Sequence, residues 1–287
     1  MTLPPFDLHR ASSVEEAREL LLRYGEDAAV VCGGTELLLL MKLGFAAYGH
    51  LVDIKGIEEL GGVRAENGTL VIGATATHRE IERSPLVLER LPALAKMERG
   101  VANIRVQNVG TLGGNLCFSD PHSDPATFLL ALDARVEYDR TLRPLSEFLV
   151  GPYETTLAHG QLLHCVRIPP PREGTCIAHR KLSFHERPAA TVACAVRVEG
   201  GSIAEARVAV GSVGPRAVLA AAAADGLVGA AVEDTGRLRA AAALAAEASG
   251  AVEDANGSVE YKEQLVRVLV ERCVRDTIPE GDEDFTA

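Results

Sequence analysis

Tryptophan is absent from the sequence, and aromatic residues make up only 4% of its 287 residues. Proteins that bind single-stranded nucleic acid commonly stack the bases on aromatic side chains, so this scarcity disfavours that class of protein. Basic residues are also in the minority, with 29 Lys and Arg against 40 Asp and Glu and a formal net charge of −11. Because an acidic chain repels phosphate backbones, we expect no nucleic-acid partner. The acidic segment Pro279–Asp284 is expected to be a solvated terminus.

Paired cysteines and long hydrophobic runs are missing as well. The six cysteines lie far apart and form no CxxC pair, which argues against a zinc site or an iron–sulfur cluster on this chain and is typical of reduced thiols. The apolar run Leu37–Met41 is too short to span a bilayer. The first residues contain neither the basic region nor the apolar stretch of a signal peptide. These features predict a cytoplasmic protein without a membrane span.

The composition is otherwise that of a globular protein large enough for two domains, with 47% hydrophobic residues in 30.4 kDa. In the first part of the chain, helical patterns alternate with strand-like runs at Ala28–Cys32 and Leu51–Ile54, which predicts an α/β layer. Three prolines at 169–171 mark a boundary, so we divide the chain near residue 175. Beyond it, strand-like runs at 190–198 and 203–211 predict a hairpin, followed by Ala-rich helices that end with 258–276.

Several helix boundaries can also be predicted. Ser13 with Glu16, and Thr77 with Glu80, have the spacing of capping boxes. The polar, Gly-rich stretch 102–124 is expected to be irregular. Asp124 is predicted as the N-cap of the next helix, with Pro125 at the first helical position.

The first candidate binding feature is the pair Gly33-Gly34, between a predicted strand and a predicted helix. Glycines allow the backbone to approach a ligand closely, and N–H groups at a helix start favour an anion such as a pyrophosphate. A tight turn without any ligand would need the same glycines, so the pair alone is weak evidence. Neither GxGxxG nor a P-loop lysine at its required spacing is present, which disfavours nucleotide hydrolysis.

The second candidate feature is Thr111–Asn115 with the polar segment Ser119–Asp124. Thr111 and Asn115 can hydrogen-bond a polar ligand. The trio Asp120, His122 and Asp124 could also be interpreted as a metal site, but the intervening Pro and Ser are typical of a loop and no HExxH-like frame supports a metal. A hydrolase is disfavoured because no GxSxG motif is present.

Taken together and in order, the two turns resemble the FAD loops of the flavin subunits of molybdenum hydroxylases. This family includes the medium subunits of carbon monoxide dehydrogenase-type enzymes and the flavin domain of xanthine dehydrogenases. Ala28–Lys42 resembles the first FAD loop, and Thr111–Asn115 with Asp124 resembles the second. The similarity continues, in order and over nearly the whole chain, through Gly160–Pro169, Arg180-Lys181, Val210–Pro215, Ser258–Lys262 and Leu265–Arg272.

The resemblance implies an α+β fold with two domains. Residues 1–175 would form a PCMH-type FAD-binding domain of two α/β subdomains, about 1–55 and 56–175. Residues 176–287 would form a smaller α+β C-terminal domain of the CO dehydrogenase flavoprotein type, with an antiparallel sheet plus helices.

The resemblance also implies a set of cofactor-binding residues, with no catalytic residue and no metal ligand. The first loop would wrap the FAD pyrophosphate and adenosine with backbone N–H groups, the second would form the opposite wall, and Asp124 would bind the ribityl or flavin region. The implied set is Val30, Val31, Cys32, Gly33, Gly34, Thr35, Glu36, Leu37, Val101, Thr111, Leu112, Gly113, Gly114, Asn115, Asp124, Leu163 and Lys181. The chain departs from the family at Gln107, where relatives often carry Arg, which puts a charged contact there in doubt. It also lacks the four-cysteine insertion of the benzoyl-CoA-reducing branch.

The function implied is that of an FAD-binding electron-transfer subunit. Its partners would be a large molybdenum cofactor subunit and a small 2Fe–2S subunit, in a heterotrimer that dimerises, and electrons would pass from the iron–sulfur clusters through FAD to NAD⁺ or another acceptor. Two alternatives are a non-redox assembly subunit of the same fold and a standalone oxidase with covalently held FAD, for which Cys32 is the candidate attachment site. The substrate is open, since it meets a different chain.

Overall fold

The computed structural model describes residues 2–184 and 187–278, so the predicted acidic terminus at Pro279–Asp284 lies outside the described residues. Within these ranges the chain forms twelve α-helices, two short 3-10 helices (Gly25–Asp27 and Glu58–Leu60) and fourteen strands. The helices are α1 (Val14–Tyr24), α2 (Leu37–Leu43), α3 (His78–Arg83), α4 (Pro85–Arg90), α5 (Pro92–Arg99), α6 (Ile104–Val109), α7 (Leu112–Phe118), α8 (Asp124–Ala131), α9 (Leu145–Phe148), α10 (Ala221–Leu227), α11 (Thr235–Ala248) and α12 (Val259–Thr277). The strands are β1 (Asp7–Arg10), β2 (Ala28–Val31), β3 (His50–Asp53), β4 (Val63–Glu66), β5 (Thr69–Gly73), β6 (Arg135–Tyr138), β7 (Thr141–Pro144), β8 (Leu149–Gly151), β9 (Glu154–Thr155), β10 (Leu163–Ile168), β11 (Thr175–Ser183), β12 (Pro188–Glu199), β13 (Ser202–Gly211) and β14 (Val218–Leu219).

The first sheet is a small parallel sheet with the order β1-β3-β2. Helices α1 and α2 alternate with its strands, so the predicted α/β layer is confirmed. Gly25 ends α1 with φ of 56°, and Gly44 ends α2 in the left-handed conformation, as is usual for glycine at helix ends. Because β2 ends at Val31, the first glycine turn leaves this sheet directly from a strand end.

The second sheet is antiparallel, with the order β4-β5-β10-β6-β7. Helices α3 to α9 belong to the same part of the chain, and apolar residues of all of them except α6 share one core with the sheet. The end of β5 lies next to α7, because Gly113 donates its N–H to Ala74 O at 3.0 Å. This contact brings the second glycine turn to the same side as the first.

The third sheet, with the order β11-β12-β13-β14, is antiparallel and includes the predicted hairpin. Strand β12 is buried on both faces: Val192 and Cys194 belong to one core with α10 to α12, whereas Ala193 and Ala195 belong to the core that contains α8. A strand covered on both faces is expected to be apolar throughout. The third sheet therefore packs directly against α8, whose first residue is the predicted site residue Asp124.

Three of the local predictions need correction. The stretch 102–124 is not irregular, since it contains α6 and α7. Ser13 accepts a hydrogen bond from Glu16 N, but the Glu16 carboxylate accepts from Ser12 N and Oγ rather than from Ser13 N, so the box is only half formed. The box of Thr77 with Glu80 is complete. Ser123, rather than Asp124, caps α8 by accepting from Ala126 N.

Among the described residues, no helix combines the length and the apolar character needed to cross a membrane.

Candidate functional site

A cavity of about 350 Å³ lies where the two glycine turns meet, a size within the range of small-molecule sites. All of the predicted cofactor-binding residues line it except Leu112 and Lys181. The predicted residues in its lining are Val30, Val31, Cys32, Gly33, Gly34, Thr35, Glu36, Leu37, Val101, Thr111, Gly113, Gly114, Asn115, Asp124 and Leu163. The fold therefore gathers two segments that are about eighty residues apart in sequence.

The first turn offers unpaired backbone donors to this cavity. None of the amide groups from Gly33 to Leu37 donates a hydrogen bond to another described residue. Gly34 has φ of 69°, in the left-handed region that favours glycine. A Cβ on Gly33 would lie 2.3 Å from Val109 O, so this glycine is required by close packing against the end of α6. The free amides, rather than the missing side chains, are the feature that suits an anion.

The second turn is built differently, because it forms the start of α7. Its amides are already bonded: Leu112 N to Ala76 O, Gly113 N to Ala74 O, and Gly114 N to Thr111 Oγ1. A Cβ on Gly113 would lie 2.5 Å from Ala74 O, whereas one on Gly114 would meet only Thr111 Oγ1, at 2.8 Å. Gly113 therefore serves packing against the end of β5, whereas Gly114 lines the cavity and has only the Thr111 hydroxyl close to the position of a Cβ. Leu112 is fully buried in the core and does not line the cavity.

Two cysteines line the cavity, and neither is activated as a nucleophile. Burial raises the pKa of the Cys32 thiol, an effect that the Thr111 hydroxyl opposes. Desolvation raises the pKa of Cys117 to about 12. Since the thiolate is the reactive form of cysteine, both side chains act as small apolar contacts at neutral pH.

Asp124 occupies the first position of α8, where it is 5% exposed and lines the cavity. Its Oδ2 accepts a hydrogen bond of 2.5 Å from Lys181 Nζ, which also donates to Gly100 O at 2.6 Å. Its Oδ1 has no hydrogen-bond partner among the described residues. Lys181 itself is outside the lining, so its contact is with Asp124 and not with the cavity.

The imidazole of His179 also lies close to the Asp124 carboxylate. Its Nε2 is 3.6 Å from Asp124 Oδ1 and forms a hydrogen bond of 2.8 Å with Thr191 Oγ1. Burial lowers the pKa of His179, and the Asp124 carboxylate opposes that shift. At neutral pH the positive partner of Asp124 is therefore Lys181.

Arg187 belongs to the C-terminal part of the chain and lines the cavity. Its guanidinium forms ion pairs of 3.0 Å with Glu36 and 3.1 Å with Asp120, which links the first turn to the loop after α7. Burial raises the pKa of the Glu36 carboxyl, and the positive charge of Arg187 opposes this. Arg187 thus neutralises two carboxylates that would otherwise repel an anionic ligand.

Gln107 has a structural role in place of a charged contact. It is buried, and its Nε2 donates to Arg99 O at 3.0 Å and to Val101 O at 2.8 Å. These bonds hold the turn after α5, and with it Val101 in the cavity wall.

Asp120, His122 and Asp124, the candidate metal ligands, each have a different partner. Asp120 pairs with Arg187, His122 Nδ1 bonds Pro188 O at 2.8 Å, and Asp124 pairs with Lys181. In the ranges that the structure describes, no group of three or more His, Cys, Asp and Glu side chains is arranged to hold a metal ion.

The lining also contains residues that sequence reasoning missed. They come from several separate segments between residues 54 and 162 and from residues 187–188 at the beginning of β12, which no local motif could have revealed. They are Ile54, Ala74, His78, Ala102, Val106, Cys117, Phe118, Asp120, His122, Ser123, Pro125, Leu157, Gln161, Leu162, Arg187 and Pro188. Of these, Asp120, His122 and Ser123 stand in the polar segment that the sequence already marked.

This lining suits a dinucleotide with a large flat ring. Free amides at the first turn can bind phosphate oxygens, the unpartnered Asp124 Oδ1 can accept from a hydroxyl or ring N–H, and apolar residues such as Leu163 and Val101 can cover a ring. A side chain at Gly114 would fill the wall between these groups.

Two family models together match nearly the whole chain. Residues 4–171 match the family model described as the FAD binding domain in molybdopterin dehydrogenase. Residues 178–277 match the CO dehydrogenase flavoprotein C-terminal domain.

Two curated relatives are similar over almost the whole chain. The carbon monoxide dehydrogenase medium chain of Hydrogenophaga pseudoflava is 34% identical over 280 residues, which cover 96% of this chain and 97% of that protein. The medium chain of the same enzyme from Afipia carboxidovorans is 32% identical, covering 94% and 95%. A solved structure of carbon monoxide dehydrogenase from H. pseudoflava that lacks the Mo-pyranopterin moiety superposes with a TM-score of 0.93 and 34% identity, over 96% of this chain and 98% of that chain.

Proposed function

The chain belongs to the family of FAD-binding medium subunits of molybdenum hydroxylases, which are oxidoreductases, and on this premise we propose that it holds one FAD in the cavity between its glycine turns and passes electrons through it. The observation that carries the proposal is the meeting of the two turns: free amides from Gly33 to Leu37 face the same cavity as Gly114 and Asp124.

In this proposal the chain's own residues bind and orient the cofactor. The amides of the first turn take the pyrophosphate, Asp124 takes a donor of the ribityl or flavin region through its free Oδ1, and Val101 and Leu163 cover apolar surface. Bound FAD supplies a ring that accepts electrons singly or in pairs, while the protein sets its position and surroundings. No side chain of this chain is assigned as a catalytic acid or base.

The proposed electron path connects this chain with two partners. Electrons enter from the iron–sulfur clusters of a small subunit, after a substrate is oxidised at the molybdenum cofactor of a large subunit, and leave to NAD⁺ or another acceptor. The heterotrimer would act in the cytoplasm. The support is the family membership and the near-complete coverage of both medium chains, together with the scattered cysteines of this chain, which provide no cluster ligands.

The two alternatives are less well supported. A covalent oxidase would need a reactive group beside the ring, but the raised pKa values of Cys32 and Cys117 keep both thiols protonated. An assembly subunit that had lost FAD would not need the open wall at Gly114 or the unpartnered oxygen of Asp124. Acid precipitation of the purified complex tests the first alternative, because non-covalent FAD stays in the supernatant.

A further inference from the structure

A buried histidine–glutamate pair lies behind the junction of the two glycine turns. His78, the first residue of α3, places Nδ1 at 2.6 Å from Oε2 of Glu98 on α5, and their side chains are 2% and 0% exposed. This short bond shares one proton between Nδ1 and Oε2. Glu98 therefore fixes the orientation of the imidazole.

The hydrogen bonding of this pair is incomplete, which limits what the pair can contribute to the stability of the fold. The second carboxylate oxygen, Glu98 Oε1, has no hydrogen-bond partner among the described residues. A buried ion pair with unsatisfied atoms often stabilises a fold no better than apolar residues of the same size. The energetic argument therefore favours a role in binding.

The other ring nitrogen of His78 is free to make that contact. His78 lines the cavity, and Nε2 has no hydrogen-bond partner within the part of the chain that the structure describes. The His78 backbone donates to Gly110 O at 3.1 Å, and a Cβ on Gly110 would lie 3.3 Å from His78 Cδ2. A Cβ on Gly33 would in turn lie 2.8 Å from Gly110 Cα. The edge of the ring that carries Nε2 is therefore located where the two turns touch.

The distribution of charge around the cavity indicates which part of the ligand this edge meets. The carboxylates Glu36 and Asp120 are paired with Arg187, and Asp124 is paired with Lys181. Within the described ranges, the amides from Gly33 to Leu37 and His78 Nε2 have no hydrogen-bond partner, and amides are donors suited to an anion. A phosphate oxygen at Nε2 requires the form of the pair in which Nε2 carries one proton and Nδ1 shares a second with Glu98 Oε2.

We propose that His78, oriented by Glu98, is a cofactor-binding residue whose Nε2 donates a hydrogen bond to the pyrophosphate of FAD. This assignment rests on the proposed FAD function and adds a ligand-binding residue to it. Lys181 and Arg187 act on carboxylates of the cavity, whereas His78 is the side-chain donor aimed at the phosphate region itself.

Two substitutions separate binding from support of the fold. His78→Asn retains an amide near Nδ1 that can reach Glu98 but lacks an atom at Nε2, whereas His78→Gln can place its amide near Nε2. We expect FAD to bind at least about tenfold more weakly to the His78→Asn complex, as for loss of a hydrogen bond to a charged group, and His78→Gln to bind more tightly than His78→Asn. If the pair only supports the fold, the order of the two affinities reverses, because His78→Asn preserves the bond to Glu98.

The measurement is a titration of the deflavinated complex with FAD, followed by flavin fluorescence, with ADP as a second probe that carries a diphosphate but no flavin. In the His78→Asn complex, the affinity for ADP should fall in parallel with the affinity for FAD. An unchanged affinity for ADP would contradict the assignment of His78 to the pyrophosphate. His164→Asn, on β10 and outside the cavity lining, is the matched control.

A wild-type complex without flavin would refute the proposed function itself, whereas normal wild-type binding with unaffected variants would refute only the role of His78. A crystal structure of the FAD-loaded complex needs no substitution: Nε2 within hydrogen-bond distance of a phosphate oxygen confirms the proposal, and Nε2 beyond that distance overturns it.

Discussion

Lys181 and Asp124 join the two halves of the molecule at the cavity, with Nζ 2.5 Å from Oδ2. The lysine lies on β11 and the aspartate begins α8. Because the same ammonium also bonds Gly100 O, one side chain from the third sheet fixes a carboxylate and the turn after α5. The C-terminal domain therefore shapes the proposed flavin site without contributing Lys181 to its wall.

Replacing Lys181 should disturb Asp124 rather than remove a direct cofactor contact. In Lys181→Met, the nearly buried carboxylate loses its positive partner, and we expect a loss of about 1–3 kcal/mol in the free energy of unfolding together with FAD binding weakened about tenfold. Adding Asp124→Asn should restore stability but not affinity, because the uncompensated charge is gone while the carboxylate is still missing. Thermal unfolding and FAD titration of the deflavinated complex measure the two effects, with exposed Lys96→Met as the control. A Lys181→Met protein with unchanged stability and affinity would contradict this role.

The two helical glycines of α7 should fail in different ways. Gly113→Ala places a methyl group against Ala74 and should lower the free energy of unfolding by about 1–3 kcal/mol. Gly114→Leu projects a side chain into the wall of the cavity, so we expect the complex to assemble with little FAD. Gly56→Ala, whose added Cβ would meet nothing within 4 Å, is the control for both. Flavin content per assembled complex, read beside thermal unfolding, distinguishes the outcomes; normal flavin content in Gly114→Leu would show that this wall does not contact the cofactor.

The raised thiol pKa values predict how stability depends on pH. Desolvation raises the pKa of Cys117 to about 12, above the ordinary value of 9.0, so the folded state holds this proton more tightly than the unfolded state. The resulting stability is fully present below pH 9 and is lost as the pH rises from 9 towards 12. Cys117→Ala should have a shallower decline of the unfolding temperature between pH 8 and 10 than the wild type. An identical decline in both proteins would contradict a desolvated, protonated Cys117 thiol.

The same property predicts slow alkylation. At pH 8, a thiol with a pKa of about 12 is ionised in about one molecule in ten thousand. Native protein treated with iodoacetamide should therefore retain unmodified Cys117, whereas unfolded protein should be modified at the same residue. Peptide mass spectrometry checks this, and rapid native labelling of Cys117 would be inconsistent with the structure.

Features that depend on neighbouring residues were predictable from sequence. The strand, the two glycines and the helix of the first turn follow one another within a few residues, as do Thr77 and Glu80, so their local chemistry determines the outcome. Capping at α8 was assigned one residue too late, because Ser123 and Asp124 are both good capping residues and tertiary pairing with Lys181 draws the aspartate away. Helix α7 cannot be predicted from the sequence because it contains two glycines, of which Gly113 packs against Ala74, a contact that the sequence does not display. Helix α6 contains no glycine, but it is only six residues long and lies in the same polar stretch.

Long-range partnerships could not be predicted in the same way. Arg187 lies more than sixty residues from Asp120 and about 150 from Glu36, and nothing in the sequence around it indicates that it reaches the cavity. His78 follows a capping threonine, a position that is most simply interpreted as helix chemistry. The family resemblance predicts Lys181 near the cofactor; in the structure Lys181 lies outside the cavity lining and pairs with Asp124, which lines it.

The central claim is tested most directly by the flavin content of the protein purified with its partners. The account predicts one FAD for each copy of this chain, released into the supernatant by acid, and little flavin in an equally well assembled Gly114→Leu complex. A colourless wild-type complex with all its subunits in place would contradict it.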